Sequence, residues 1–125
     1  IAVTRPLADR LGLKIGDTLR AVHGGRETTL RVRFLLEPSE DLVGADGRAF
    51  FRRTLRFTAP AGAAPFFFRA ACGTKVAATG PQTYQADKLT VRVLGTQAGQ
   101  VRDGELLLPM NLPTGTSTLT LEYQW

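Results

Sequence analysis

Only His23, beside Gly24-Gly25, and Cys72, between Ala71 and Gly73, could serve as a soft metal ligand or as a nucleophile with its base. A zinc site needs three or four nitrogen, sulfur or carboxylate ligands, and one histidine with one cysteine falls short. No metal is expected, and His23 reads as a water-exposed residue at a hairpin edge. A thiol nucleophile needs its base within hydrogen-bond reach. Cys72 instead closes the most apolar stretch of the chain and reads as a small buried hydrophobe. A single cysteine forms no internal disulfide and leaves the redox compartment open. Covalent haem attachment needs a Cys-x-x-Cys-His run, and a phosphate loop needs Gly-Lys-Ser/Thr after its glycines; Gly12 to Gly16 lacks that ending. Neither a cofactor nor a catalytic residue is expected.

Two charged sets remain. Glu37, Glu40, Asp41 and Asp46 fall in a stretch with a proline and two glycines, so Glu37 to Asp41 and Gly44 to Gly47 read as an acidic loop. Such a loop could gather oxygen ligands for calcium, although its spacing is not that of an EF-hand. A solvated turn is the simpler reading. Arg31, Arg33, Arg52 and Arg56 repeat at two- or four-residue spacing on the polar side of alternating runs. Adjacent strands would merge them into a basic stripe, the candidate binding surface of this chain. The expected role is a non-catalytic accessory module docking a protein or a neighbouring domain there, with an anionic polymer, acidic polysaccharide or nucleic acid, as the alternative partner. Single-stranded nucleic acid is not expected, because the aromatics it would stack on fall on the opposite faces.

Strands must position these side chains. Alternation runs through Thr18 to His23 and Glu27 to Leu36, with Gly24-Gly25 between them as a hairpin signal. It resumes over Arg48 to Thr58, where Phe51, Leu55 and Phe57 share one face and Phe50 and Arg53 break the pattern. A short strand is expected from Lys75 to Ala78, and clear ones over Lys88 to Leu94, Glu105 to Met110 and Ser117 to Trp125. Leu119, Leu121, Tyr123 and Trp125 share the inner face of the last. Gly95 to Gly104 reads as a turn-rich link. Phe66-Phe67-Phe68 cannot point all its rings one way, so Phe66 to Ala71 is expected to be a central strand buried on both faces. Helical spacing occurs only at the start. Thr4 can cap, Pro6 suits a first turn, Leu7 and Leu11 lie on one face, and Gly12 ends the helix.

About seven or eight short strands with one short N-terminal helix make an all-β chain, packed as an antiparallel β-sandwich or barrel. With 125 residues it is expected to be one domain. The net charge of +5 speaks to solubility and non-specific attraction before it speaks to function. No run approaches the eighteen apolar residues of a membrane helix, so no membrane insertion is expected. The chain starts at Ile1 and stops at Trp125 within structured-looking segments, which suggests a piece of a larger protein.

Two resemblances bear on that parent. Val3 to Thr18, with Leu11-Gly12-Leu13-Lys14-Ile15-Gly16-Asp17 at its heart, resembles the helix-to-strand entry of extracytoplasmic domains in ABC-transporter permeases of the macrolide-export and lipoprotein-release kind. The stretches Phe66 to Val76, Lys88 to Arg92, Glu105 to Met110 and Glu122 to Trp125 resemble a β module appended to large secreted sugar-dehydrogenase-like and c-type cytochrome proteins of bacteria. Both resemblances imply an extracytoplasmic location, and the second implies a non-catalytic accessory role.

Overall fold

The computed structural model describes residues 1–45 and 48–125. In order, its elements are β1 (Ala2–Thr4), α1 (Arg5–Leu11), β2 (Thr18–His23), β3 (Arg26–Arg31), β4 (Phe34–Ala45), β5 (Arg48–Ala59), β6 (Phe66–Cys72), β7 (Val76–Gly80), β8 (Thr83–Ala86), β9 (Leu89–Leu94), β10 (Gln100–Arg102), β11 (Glu105–Met110) and β12 (Gly115–Gln124). The fold is all-β with open sheets, sandwich-like in class, and carries one short helix near its start. Twelve strands are described where seven or eight are expected. They form a seven-stranded sheet in the order β1-β4-β5-β12-β9-β8-β7, a three-stranded sheet β10-β11-β6 and a two-stranded ribbon β2-β3. Among the described pairings, β1 runs parallel to β4, Val3 opposite Leu35, and the rest are antiparallel.

The chain divides into two compact units: Ile1–Pro38, Arg56–Ala63 and Leu112–Ser117 make the first, and Ser39–Leu55, Ala64–Asn111 and Thr118–Trp125 the second. In the first unit Thr4 is extended (φ −65°, ψ 141°) and Pro6 stands in the opening turn of α1. Gly12, at φ 65°, ends the helix and gives its N–H to the Ala8 and Asp9 carbonyls. That left-handed step favours glycine. The buried face of the helix is not the expected Leu7–Leu11 pair, both exposed, but Ala8 at 1% exposure. Ala8 joins Val3 and Val32, with Leu13, Leu19 and Leu35 around them. A methyl group lets the helix backbone lie close on the strands, whereas a leucine there would hold it off.

The ribbon turns at Gly24-Gly25, both with positive φ (57° and 75°), as a two-residue hairpin of type I′ requires. Its base is tied by Val32 N–H to the Asp17 carbonyl and Gly16 N–H to the Val32 carbonyl, each 2.8 Å.

In the second unit Leu55, Val91, Val93, Leu106, Leu108, Leu119 and Leu121 are all nearly closed to solvent. Tyr123 on β12 donates its hydroxyl to the Ala70 carbonyl on β6 at 2.9 Å, which ties the larger sheet to the three-stranded one. Three expectations are corrected here. The phenylalanine strand β6 is an edge strand, not a central one, and Phe67 is 50% exposed. Cys72, at its end, is exposed because the chain leaves the sheet there. Trp125 lies beyond the end of β12 at 77% exposure, so the core of this unit is filled by leucine, valine, methionine and tyrosine, while Phe34 and Phe57 are buried in the first unit.

The acidic loop is corrected as well. Glu37 to Asp41 lie on β4, whose neighbour is β5, and Pro38 is tolerated within that strand. Asp46 and Gly47 lie outside the described residues.

Candidate functional site

The four arginines of the expected stripe do not share one environment. Arg31 ends β3 and Arg33 lies in the short link to β4; both are exposed, and neither has an ion pair among the described residues. Arg52 and Arg56 are on β5, each with a carboxylate. Arg52 reaches Glu122 of β12 through Nε at 3.2 Å and a terminal nitrogen at 2.7 Å. Arg92 of β9 approaches the other oxygen of the same glutamate at 3.5 Å. The Glu122 side chain is 11% exposed, so the carboxylate is held between two guanidinium groups largely out of water. Arg56 faces Glu37 at 3.5 Å, and Glu37 also pairs with Arg5, which points toward the Thr58 hydroxyl. Arg52 and Arg56 each share one carboxylate with a second arginine, so each trio keeps one net positive charge, while Arg31 and Arg33 have no carboxylate partner among the described residues.

The arginines that sequence spacing did not single out explain the acids. Arg53 breaks the alternation of β5 because it joins the apolar face, 5.9 Å from the centre of the Tyr123 ring and 2.8 Å from Glu40. Burial raises Tyr123 above the usual tyrosine range, and the nearby Arg53 charge offsets part of that rise. Aromatic contact with the basic side chains is also closer than alternation implies, since Arg52 lies 5.5 Å from the Phe50 ring. A pairing signal was present in the sequence. Glu37 and Glu40 precede Arg53 and Arg56 at mirrored spacing, as cross-strand partners in adjacent antiparallel strands would.

Charge is unevenly shared. The first unit carries eight basic residues against four acidic ones, the second eight against seven. Half of the first unit's excess is on or beside the ribbon, where Arg20, Arg26, Arg31 and Arg33 meet two acids, Asp17 at its base and Glu27, which is 3.2 Å from Arg20. Only Leu19, Ala21 and Leu30 of the ribbon's twelve strand residues are partly covered, and Val22 is 72% exposed. His23 is exposed beside the turn, opposite Arg26. His23 belongs to the first unit and Cys72 to the second. Among the described residues no three of His, Cys, Asp and Glu gather as metal ligands would. An open cleft of about 450 Å³ in the first unit, between α1, Leu13 to Ile15 and Leu35, carries Arg5, Asp9 and Lys14 at its polar margin. The rest of its lining is aliphatic or glycine, and Arg5 is already paired with Glu37.

No family model matches the chain, and no curated protein or solved structure is significantly similar to it. Among the described residues no helix is long and apolar enough to cross a membrane.

Proposed function

We propose that this chain is a non-catalytic interaction module of a larger extracytoplasmic protein, and that its contact surface is the basic ribbon of the first unit. The observation that carries this reading is the uneven charge. Half of the excess sits on or beside an exposed two-stranded ribbon, and Arg31 and Arg33 there have no carboxylate partner among the described residues. A two-stranded ribbon has little stability alone, so one with both faces largely open suits a surface completed by a partner. The partner is an acidic protein surface or neighbouring domain. The extracytoplasmic placement rests on the resemblance of Val3 to Thr18 to permease ectodomains. A second reading, an acidic polysaccharide, is favoured by the same arginines, whose planar forks suit carboxylates and sulfates.

Retention on immobilised polyglutamate, heparin and alginate tests both. Binding is expected to fall steeply with salt and to drop about two- to fivefold on Arg31→Ala or Arg33→Ala, the effect of one exposed charge. Arg52→Ala is expected to weaken it less, because Glu122 holds that side chain and both belong to the second unit, not to the ribbon strands. Preference for polyglutamate supports the protein partner, and preference for heparin or alginate the polysaccharide. Salt-independent retention, or none on any of the three, removes the basic surface. Turnover abolished by a single substitution would overturn the non-catalytic role.

A further inference from the structure

Strand β6 ends the three-stranded sheet, and its free side is open to another strand. The hairpin β10–β11 turns at Asp103 and Gly104, both at positive φ (51° and 73°), so the closing pair Arg102–Glu105 exchanges both of its backbone hydrogen bonds. Alternation along β11 then turns the backbone groups of Glu105 and Leu107 toward β10, and those of Leu106, Leu108 and Met110 toward β6. Pro109, which has no N–H, falls at a position that does not face β6, as a proline in a sheet must. Opposite it on β6, Phe67 pairs with Pro109 and Arg69 with Leu107. The N–H and C=O of Phe67 and Arg69 therefore point away from β11, to the free side. Beyond Arg69 the register shifts, and Ala70 gives its carbonyl to the Tyr123 hydroxyl. The backbone groups turned outward are few, those of Phe67 and Arg69.

We propose that this edge is a self-association surface, at which two copies of the chain join their three-stranded sheets, β6 antiparallel to β6 about a two-fold axis at Phe68. In that register Phe67 lies opposite Arg69 of the second copy, and both such pairs exchange their outward backbone hydrogen bonds. Phe67 and Arg69 share the solvent face, where Phe67 is half exposed with Arg102 5.7 Å from its ring centre, and Arg69 is 2.9 Å from Glu105. Pairing lays a guanidinium with its own counter-ion beside each exposed ring. Neighbouring registers are worse. Centring on Arg69 sets two arginines against each other, and centring on Phe67 puts Pro65, without a donor, opposite Arg69. The strand from Phe66 to Cys72 carries no acid and one basic residue, which leaves it thinly protected against edge pairing. The unit that carries this edge has eight basic residues against seven acidic, so most of the repulsion between two +5 chains comes from the first unit. The surface does not rest on the ribbon reading. So small a contact makes a weak, concentration-dependent dimer.

Sedimentation equilibrium and residue-resolved amide exchange on the whole chain, from micromolar to millimolar concentration, test the proposal. The average mass is expected to climb toward that of a dimer. Exchange at the Phe67 and Arg69 amides slows with concentration, about tenfold where the dimer dominates, because these N–H groups are open in the monomer. Phe67→Lys sets like charges opposite each other and holds the chain monomeric, whereas Val22→Lys in the ribbon leaves association intact. The exchange measurement needs no variant, so a misfolded Phe67→Lys does not shield the idea. A constant mass, protection that appears elsewhere than at Phe67 and Arg69, or unchanged association of Phe67→Lys overturns it.

Discussion

Tyr123 shows how one hydroxyl can matter in a core of hydrocarbon. Its O–H reaches the Ala70 carbonyl at 2.9 Å, and burial holds its ionisation above the usual range. Tyr123→Phe removes the donor and leaves that carbonyl unpaired, at a cost of about 1–2 kcal/mol by urea denaturation. The sign of the pH effect follows from the raised value. Below the ordinary tyrosine range both states are protonated and the contribution is complete. As pH climbs past that range the unfolded chain releases its proton while the folded one retains it, so stability falls until the folded group also ionises. Stability of the native chain is therefore expected to fall more steeply above about pH 10 than that of Tyr123→Phe, since the difference between the two isolates this group from other alkaline titrations. Equal slopes would show that Tyr123 is not desolvated. Arg53 and Glu122 belong to the same scale. Arg53 violates the two-residue alternation because its stem lies along an aromatic face while its head meets Glu40, a compromise open to a long amphipathic side chain.

Elements were read best where hydrophobic alternation was long and glycine marked the turns. Strands β2, β5, β9, β11 and β12 are of that kind, as is the hairpin at Gly24-Gly25. The failures share a cause, which is that local composition does not know its neighbour. Glu37, Pro38 and Glu40 look like loop residues until β5 supplies Arg56 and Arg53 beside them. Strand β8 is four residues long, flanked by Gln82 and Asp87 at positive φ, and neither turn carries a glycine at that position to announce it. In β10 three residues hide in a stretch rich in turn formers. Within the candidate site, the exposed pair Arg31 and Arg33 was legible from spacing, but the pairing of Arg52 with a residue 70 positions away was not. A test at this scale concerns Gly99, whose N–H meets the Tyr84 hydroxyl at 2.6 Å. A Cβ there would come within 2.7 Å of Leu106 Cδ1 and 2.8 Å of Tyr84 Cζ. Gly99→Ala is expected to lose about 1–3 kcal/mol of stability from overpacking, and Tyr84→Leu in the same background to recover part of it. Unchanged denaturation of Gly99→Ala would show that the link before β10 moves freely aside.

For the molecule as a whole, composition fixed the class, since 43% apolar residues with short alternating runs demand sheets that cover one another. It could not show that positive charge gathers in one unit and nearly balances in the other, because each unit is drawn from three separate stretches of chain. That distribution assigns different work to the two parts. The basic unit suits an acidic partner through its ribbon, and the nearly balanced unit suits its own likeness through β6. Salt should accordingly act in opposite senses on the two: it screens attraction at the ribbon and the residual repulsion between copies.

The threading of the chain through both units has a consequence for anyone who would dissect it. Strands β4, β5 and β12 each begin in one unit and finish in the other. No single cut liberates either half as a continuous polypeptide, and a gene fragment encoding one would encode half-strands of the other. Trimming the first 38 residues takes only the first unit, and trimming the last eight takes only the second, yet either cut leaves a strand, β4 or β12, broken in two.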